Sequence, residues 1–213
     1  MAIMKNGLWG GVTGKIGGVV SVSHNGGYYL RSLPGHVRDP QSKKQVTQRS
    51  RFTTIQAFLK TFTPFIRVGF QSEALGMRSA FNAAMSYNVR HAVKGEVPDF
   101  EVDYLNVVVS TGLLPVSPVL LSSVAEGVLH VEWEECSEKR AKKRDQVMLL
   151  AYNREKNRAE FDLHAGKRGS LATTLPLPQN WQGDTVETYV AFLSADDLTL
   201  VSDSQYAGRH RVE

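Results

Sequence analysis

The sequence predicts an α+β N-terminal part followed by an all-β sandwich of immunoglobulin or fibronectin type, divided as residues 1–95 and 96–213. Three observations carry this. Eight of the 18 glycines fall within residues 7–32, interleaved with β-branched and aromatic runs. Helical periodicity follows between residues 39 and 95. From about residue 97 the chain turns to short β-type runs separated by turn signals.

Taken in order, Gly17–Ser23 and Tyr28–Ser32 read as two strands joined at His24-Asn25-Gly26-Gly27, which supplies the positive-φ residues of a hairpin turn. The Gly-rich lead-in to this hairpin carries Trp9, an apolar anchor by which the segment docks. Asp39-Pro40 reads as a helix start, with Asp at the N-cap and Pro at the first helical position. Val46, Phe52, Ile55, Leu59 and Phe62 then share one apolar face. Thr63-Pro64 ends or kinks that helix, and Phe65–Phe70 opens a second. A third helix, about 72–93, places Leu75, Met77, Phe81, Met85 and Val89 on one side, with Gly95 as its C-cap. The helices are expected to pair antiparallel over the hairpin. Strands are then expected at 101–110, 128–134, 146–152, 158–164, 170–175, 185–194 and 198–202, a spacing that fits a sandwich.

Charge divides the chain as composition does. Residues 1–95 hold 13 Lys/Arg against Asp39 and Glu73, a net +11; residues 96–213 hold 12 against 19 Asp/Glu, a net −7. Such a split fits an N-terminal contact with an anionic partner, or two oppositely charged parts that meet, within one chain or between copies. The hydrophobic fraction of 42% and charged fraction of 22% exclude a disordered or collagen-like chain. A single cysteine, Cys136, excludes an internal disulfide and a multi-cysteine metal site. No secretory signal pattern and no run of about 18–20 apolar residues is present, so a soluble cytoplasmic protein without a membrane span is expected, with signal-less release in a particle or assembly as the alternative.

The motifs that carry chemistry are tested and fail. Gly11-x-x-Gly14-Lys15-Ile16-Gly17 departs from the phosphate loop, which needs a six-residue glycine spacing and a hydroxyl after the lysine. The six histidines lack metal-ligand spacing. Glu134-Glu135 and Asp196-Asp197 are adjacent carboxylates, which on a strand point to opposite faces and cannot flank one bond. No catalytic residue, cofactor, metal or small-molecule substrate is expected, and the chain reads as a non-enzyme.

Two surfaces remain. The first is the Gly-rich arm, with Trp9, Gly14, Gly17, Gly18, Tyr28, Tyr29 and Arg31 as contact residues for another copy or another protein of an assembly. The second is basic: Lys43, Lys44, Arg49 and Arg51 on the first helix, and Lys139, Arg140, Lys142, Lys143 and Arg144 in a loop between strands. These nine would meet an anionic partner, nucleic acid included, with steep salt dependence. Aromatic residues near the helix lie on its apolar face, which argues against single-strand stacking. A ligand-binding sandwich with an exposed Trp133 or Trp181 as platform is a third reading.

Several segments in order also resemble a known family: Gly14-Lys15-Ile16-Gly17-Gly18-Val19-Val20, Tyr29-Leu30-Arg31-Ser32-Leu33-Pro34, Asp39-Pro40-Gln41 through Gln45 and Gln48-Arg49-Ser50-Arg51-Phe52. Ala80–Asn88, Pro98–Tyr104 and Ser202–Gly208 continue the likeness. Together they look like an uncharacterised family of Bacteroidota proteins catalogued as a domain of unknown function. The front half is more weakly similar to segments of phage-encoded structural proteins. The family's usual Asn-Pro-Arg-Thr is Asp39-Pro40-Gln41-Ser42 here. The resemblance implies the two-part build and transfers no catalytic residue. The expectation is therefore a structural or assembly protein that forms homo-oligomers or joins a larger complex.

Overall fold

The computed structural model describes residues 3–4, 11–24, 27–33, 35, 39–74, 76 and 78–213. The chain forms two compact units, 1–43 and 44–213. The division expected near residue 95 falls inside the second.

The first unit is an antiparallel meander of β1 (Ile3–Met4), β2 (Val12–Ile16), β3 (Val19–His24) and β4 (Gly27–Ser32), in that spatial order. Strands β3 and β4 form the expected hairpin, in register from Val19↔Ser32 to His24↔Gly27. The described part of the Gly-rich lead-in is strand β2, paired to β3 through Gly14↔Ser21 and Ile16↔Val19. The Tyr28 ring packs over Gly11, where a Cβ would fall 1.9 Å from it.

The second unit begins with α1 (Lys43–Lys60), α2 (Thr63–Gly69) and α3 (Ala80–His91). Helix α1 starts three residues later than Asp39-Pro40 suggests. Gln41 has φ +46, outside the helical region, and its N–H instead turns back to Asp39 Oδ1 at 3.4 Å. Pro64 sits in the first turn of α2, where its missing N–H costs nothing. Helix α3 is shorter than expected, because Ser79 caps it by accepting from Asn82 N at 3.2 Å. Leu75 and Met77 lie outside the described residues. Gly95 is no helix cap: it stands opposite Phe100 in a hairpin of β5 (Val93–Glu96) and β6 (Asp99–Val102).

Beyond β6 the expected strand 101–110 gives way to a 3-10 turn at Tyr104–Asn106 and an extended segment. The remaining strands are β7 (Val119–Ala125), β8 (Val128–Trp133), β9 (Gln146–Asn153), β10 (Arg158–Lys167), β11 (Ala172–Pro176), β12 (Thr185–Leu193) and β13 (Gln205–Arg211). Strands β7 and β13 lie outside the expected set, and residues 198–202 contribute only isolated bridges at Val201 and Ser202. Two antiparallel sheets result, β10-β9-β12-β13 and β11-β8-β7.

Strands β9 and β12 are buried along almost their whole length on both faces. Val147, Leu149, Ala151, Val186, Val190 and Phe192 meet Leu129, Val131, Trp133 and Leu175 of the three-stranded sheet. Met148, Leu150, Tyr152, Tyr189, Ala191 and Leu193 meet Ile55, Phe58, Leu59, Phe65 and Met85 of the helices. The unit is thus three layers: helices, four-stranded sheet, three-stranded sheet. A strand covered on both sides reads as a continuous apolar run, as Val147–Tyr152 does. The helices cover one face of this central sheet.

Candidate functional site

The N-terminal sheet holds most of the arm residues. Gly14 is in β2, Gly17 and Gly18 form the turn into β3, and Tyr28, Tyr29 and Arg31 are in β4. Trp9 lies outside the described residues. Every residue of β4 is exposed, with Tyr28 at 51%, Tyr29 at 48% and Leu30 at 68%; Ile16, Val19 and Leu33 are exposed beside them. Strand β4 is the last strand of its sheet. Edge strands usually carry a guard such as a proline, a bulge or clustered charge. Residues 27–32 hold only Arg31 in that role.

The basic loop behaves differently from its sequence. Lys142 and Arg144 both hold the Asp196 carboxylate, and Lys143 holds Glu135 at 2.7 Å. The hydrogen bond from Lys142, then that from Arg144, keeps the Asp196 carboxyl below the usual carboxylate range. Lys139 and Arg140 are exposed. Three of the five cations are therefore locally compensated, which reduces the field an approaching polyanion would meet. On α1, Lys43, Lys44 and Arg49 are exposed, while half-buried Arg51 places its guanidinium 6.0 Å from the Phe100 ring centre.

The other candidates prove structural. Trp133 and Trp181 are 1% and 2% exposed, so neither is a surface platform, and Trp133 Nε1 donates to Arg168 O at 2.9 Å. Asp197 Oδ1 accepts from the backbone and hydroxyl of Thr199. His210 Nε2 lies 2.9 Å from Ser122 Oγ, and burial pushes its pKa below the ordinary value.

One cluster matches no sequence motif. Glu187 on β12 is fully buried and accepts from Tyr206 Oη at 2.5 Å and Arg209 Nε at 2.8 Å, with Arg154 at 3.6 Å. Burial, then the Glu187 contact, raises the Tyr206 pKa. Arg154 also stacks 5.0 Å from the Tyr104 ring centre. It stands in a cleft of about 590 Å³ lined by Phe58, Tyr104, Tyr152, Glu101 and Glu155. The signal in sequence is one carboxylate inside Thr185–Leu193, an otherwise buried strand, where a charge needs partners.

The profile of a family of unknown function, DUF6266, matches residues 10–208, nearly the whole chain. The chain belongs to DUF6266. No curated protein and no solved structure matches it. The DUF6266 profile thus spans both units, the exposed N-terminal sheet and the three-layer body alike. Among the described residues no helix is long and apolar enough to cross a membrane.

Proposed function

We propose that this DUF6266 protein is a non-enzymatic structural protein that assembles with copies of itself, or joins a larger complex, through its N-terminal sheet. One observation carries the reading: a meander that exposes Ile16, Val19, Tyr28, Tyr29, Leu30 and Leu33 and ends in β4, beside which no further strand lies among the described residues. Exposed apolar side chains on so small an element mark an interaction surface, and an open edge is a template for strand addition. The +11/−7 polarity supports a further contact, separate from the sheet edge, between unlike ends of neighbouring copies. The weaker likeness to phage-encoded segments names one setting for such an assembly.

The body reads as a fibronectin-like sandwich with a helical cover. Of the seven strands β7–β13, the first, second and fifth form one sheet and the third, fourth, sixth and seventh the other, an order that supports this finer reading. A body of this kind serves as a spacer or scaffold, with the assembling element outside it.

Light scattering on a sizing column at about 0.1 M and 0.5 M salt, with absorbance at 260 and 280 nm, tests the proposal. The expected result is a defined oligomer free of nucleic acid, and a folded monomer once residues 1–33 are deleted. Full assembly by the truncated chain sinks the role of the sheet. A monomer that carries nucleic acid at low salt and sheds it at high salt favours the basic helix and loop instead.

A further inference from the structure

We infer that two copies of this chain join by antiparallel pairing of β4 with β4, on a twofold axis that passes through Leu30. This rests on the assembly reading above and names its partner and its register.

The argument begins with the direction of the backbone groups. Leu33 N donates to Gly18 O at 2.7 Å, just beyond the Val19↔Ser32 pair. Hydrogen-bonded and non-hydrogen-bonded pairs alternate along an antiparallel ladder. Arg31 and Tyr29 therefore turn their N–H and C=O groups toward β3, as Leu33 does. Tyr28, Leu30 and Ser32 turn theirs outward. Among the described residues no strand takes up that outer edge.

Three outward residues at alternate positions are self-complementary. A second β4 running antiparallel, with Leu30 opposite its own copy, brings Tyr28 opposite Ser32 twice, and all three outward residues of each copy are bonded. The same register sets Tyr29 opposite Arg31, again twice, on the other face. This is a close non-hydrogen-bonded pair in which a guanidinium reaches an aromatic ring. Sliding by two residues one way leaves Ser32 unpaired. Sliding the other way sets Arg31 against Arg31, and like charges directly opposite repel. The centred register is the one that uses the whole strand without a charge conflict.

The pairing also accounts for the composition of β4. Leu30, 68% exposed, becomes the centre of a cross-copy apolar contact. The single charge, Arg31, is placed where the partner offers a ring instead of a cation.

Cysteine substitution in the full chain tests this, with Cys136→Ser as background. Directly opposed residues of a hydrogen-bonded pair have Cα atoms about 5.5 Å apart, inside the disulfide range of roughly 4.4–6.8 Å. Leu30→Cys is expected to form a covalent dimer under mild oxidation. Tyr28→Cys, whose own copy is displaced along the strand, should yield at least about tenfold less. Leu30→Lys and Leu30→Pro place a charge or a missing N–H on the outer edge and leave the bonds to β3 alone. Both are expected to lose the dimer while keeping the far-ultraviolet spectrum of the parent. An oligomeric parent whose Leu30→Cys variant does not crosslink, or whose Leu30→Lys variant assembles unchanged, overturns the β4 pairing and leaves N-terminal assembly standing. A parent that is monomeric at every concentration overturns both the β4 pairing and self-assembly.

Discussion

Asp145 is fully buried, and its counter-charge is the guanidinium of Arg168, itself 3% exposed, at 3.4 Å. The carboxylate also accepts from the backbone N–H groups of Lys142 at 2.8 Å and Ala195 at 3.3 Å. Arg168 Nη2 donates to Pro115 O, and its plane lies 4.1 Å from the Phe192 ring centre. One ion pair thereby fixes the loop before β9, the start of β11 and the core between the sheets. Removing one partner strands the other charge in a dry site, which typically costs about 3–5 kcal/mol. Asp145→Ala is expected to lower stability by roughly that amount in a denaturant titration. Asp145→Asn, which keeps acceptor capacity, should lose less. A loss within about 0.5 kcal/mol for the alanine variant would show that Arg168 needs no counter-charge.

Among the elements, α2 depends on one small residue. Gly69 ends the helix where residues 109–111 cross it, and Thr111 N and Ser110 Oγ both donate to Gly69 O. A Cβ there would sit 2.4 Å from Val109 O, a backbone atom that cannot swing aside. Gly69→Ala is therefore expected to destabilise by about 1–3 kcal/mol, although alanine is the better helix former. Thermal unfolding of the variant checks this, and an unchanged or raised midpoint refutes the tight crossing. Such a contact could not be read from sequence, because Gly69 looks like an ordinary helix end after a Pro-started turn. The break between α1 and α2 at Thr63-Pro64 and strands β8, β9, β11 and β12 were legible, since their residues carry their own local chemistry, although α2 begins at Thr63 and not at Phe65. Strand β13 was not. Its Gln205–Arg211 run has neither alternation nor β-branched residues, and it exists because β12 offers it a ladder. Of the candidate surfaces, β4 was legible as a strand, but its place at the sheet edge depends on what pairs with β3. The compensation of Lys142 and Arg144 was hidden because Asp196 lies more than 50 residues away.

For the whole molecule, the central sheet decides what can be separated from what. The composition shift near residue 95 suggests a cut there, but the helical side of β9 and β12 carries Met148, Leu150, Tyr152, Tyr189 and Ala191, all buried against residues 55–89. A fragment of residues 96–213 would bare that face to water. It is expected to aggregate or bind a hydrophobic dye, whereas residues 44–213 should unfold in one cooperative transition by calorimetry. Cooperative, soluble folding of 96–213 alone would refute the three-layer account.

The same three layers set a timetable. The ribosome releases the chain from its N-terminus at about 5–20 residues per second. Phe58, Leu59 and Phe62 therefore emerge on the order of ten seconds before Tyr189 and Ala191, the strand residues that will cover them. During that wait the helical layer has no floor, and its apolar side is open to whatever else is nearby. For this protein the hazardous moment lies midway through translation, before the last third of the chain has been made, and it is there that a holding chaperone would find its substrate.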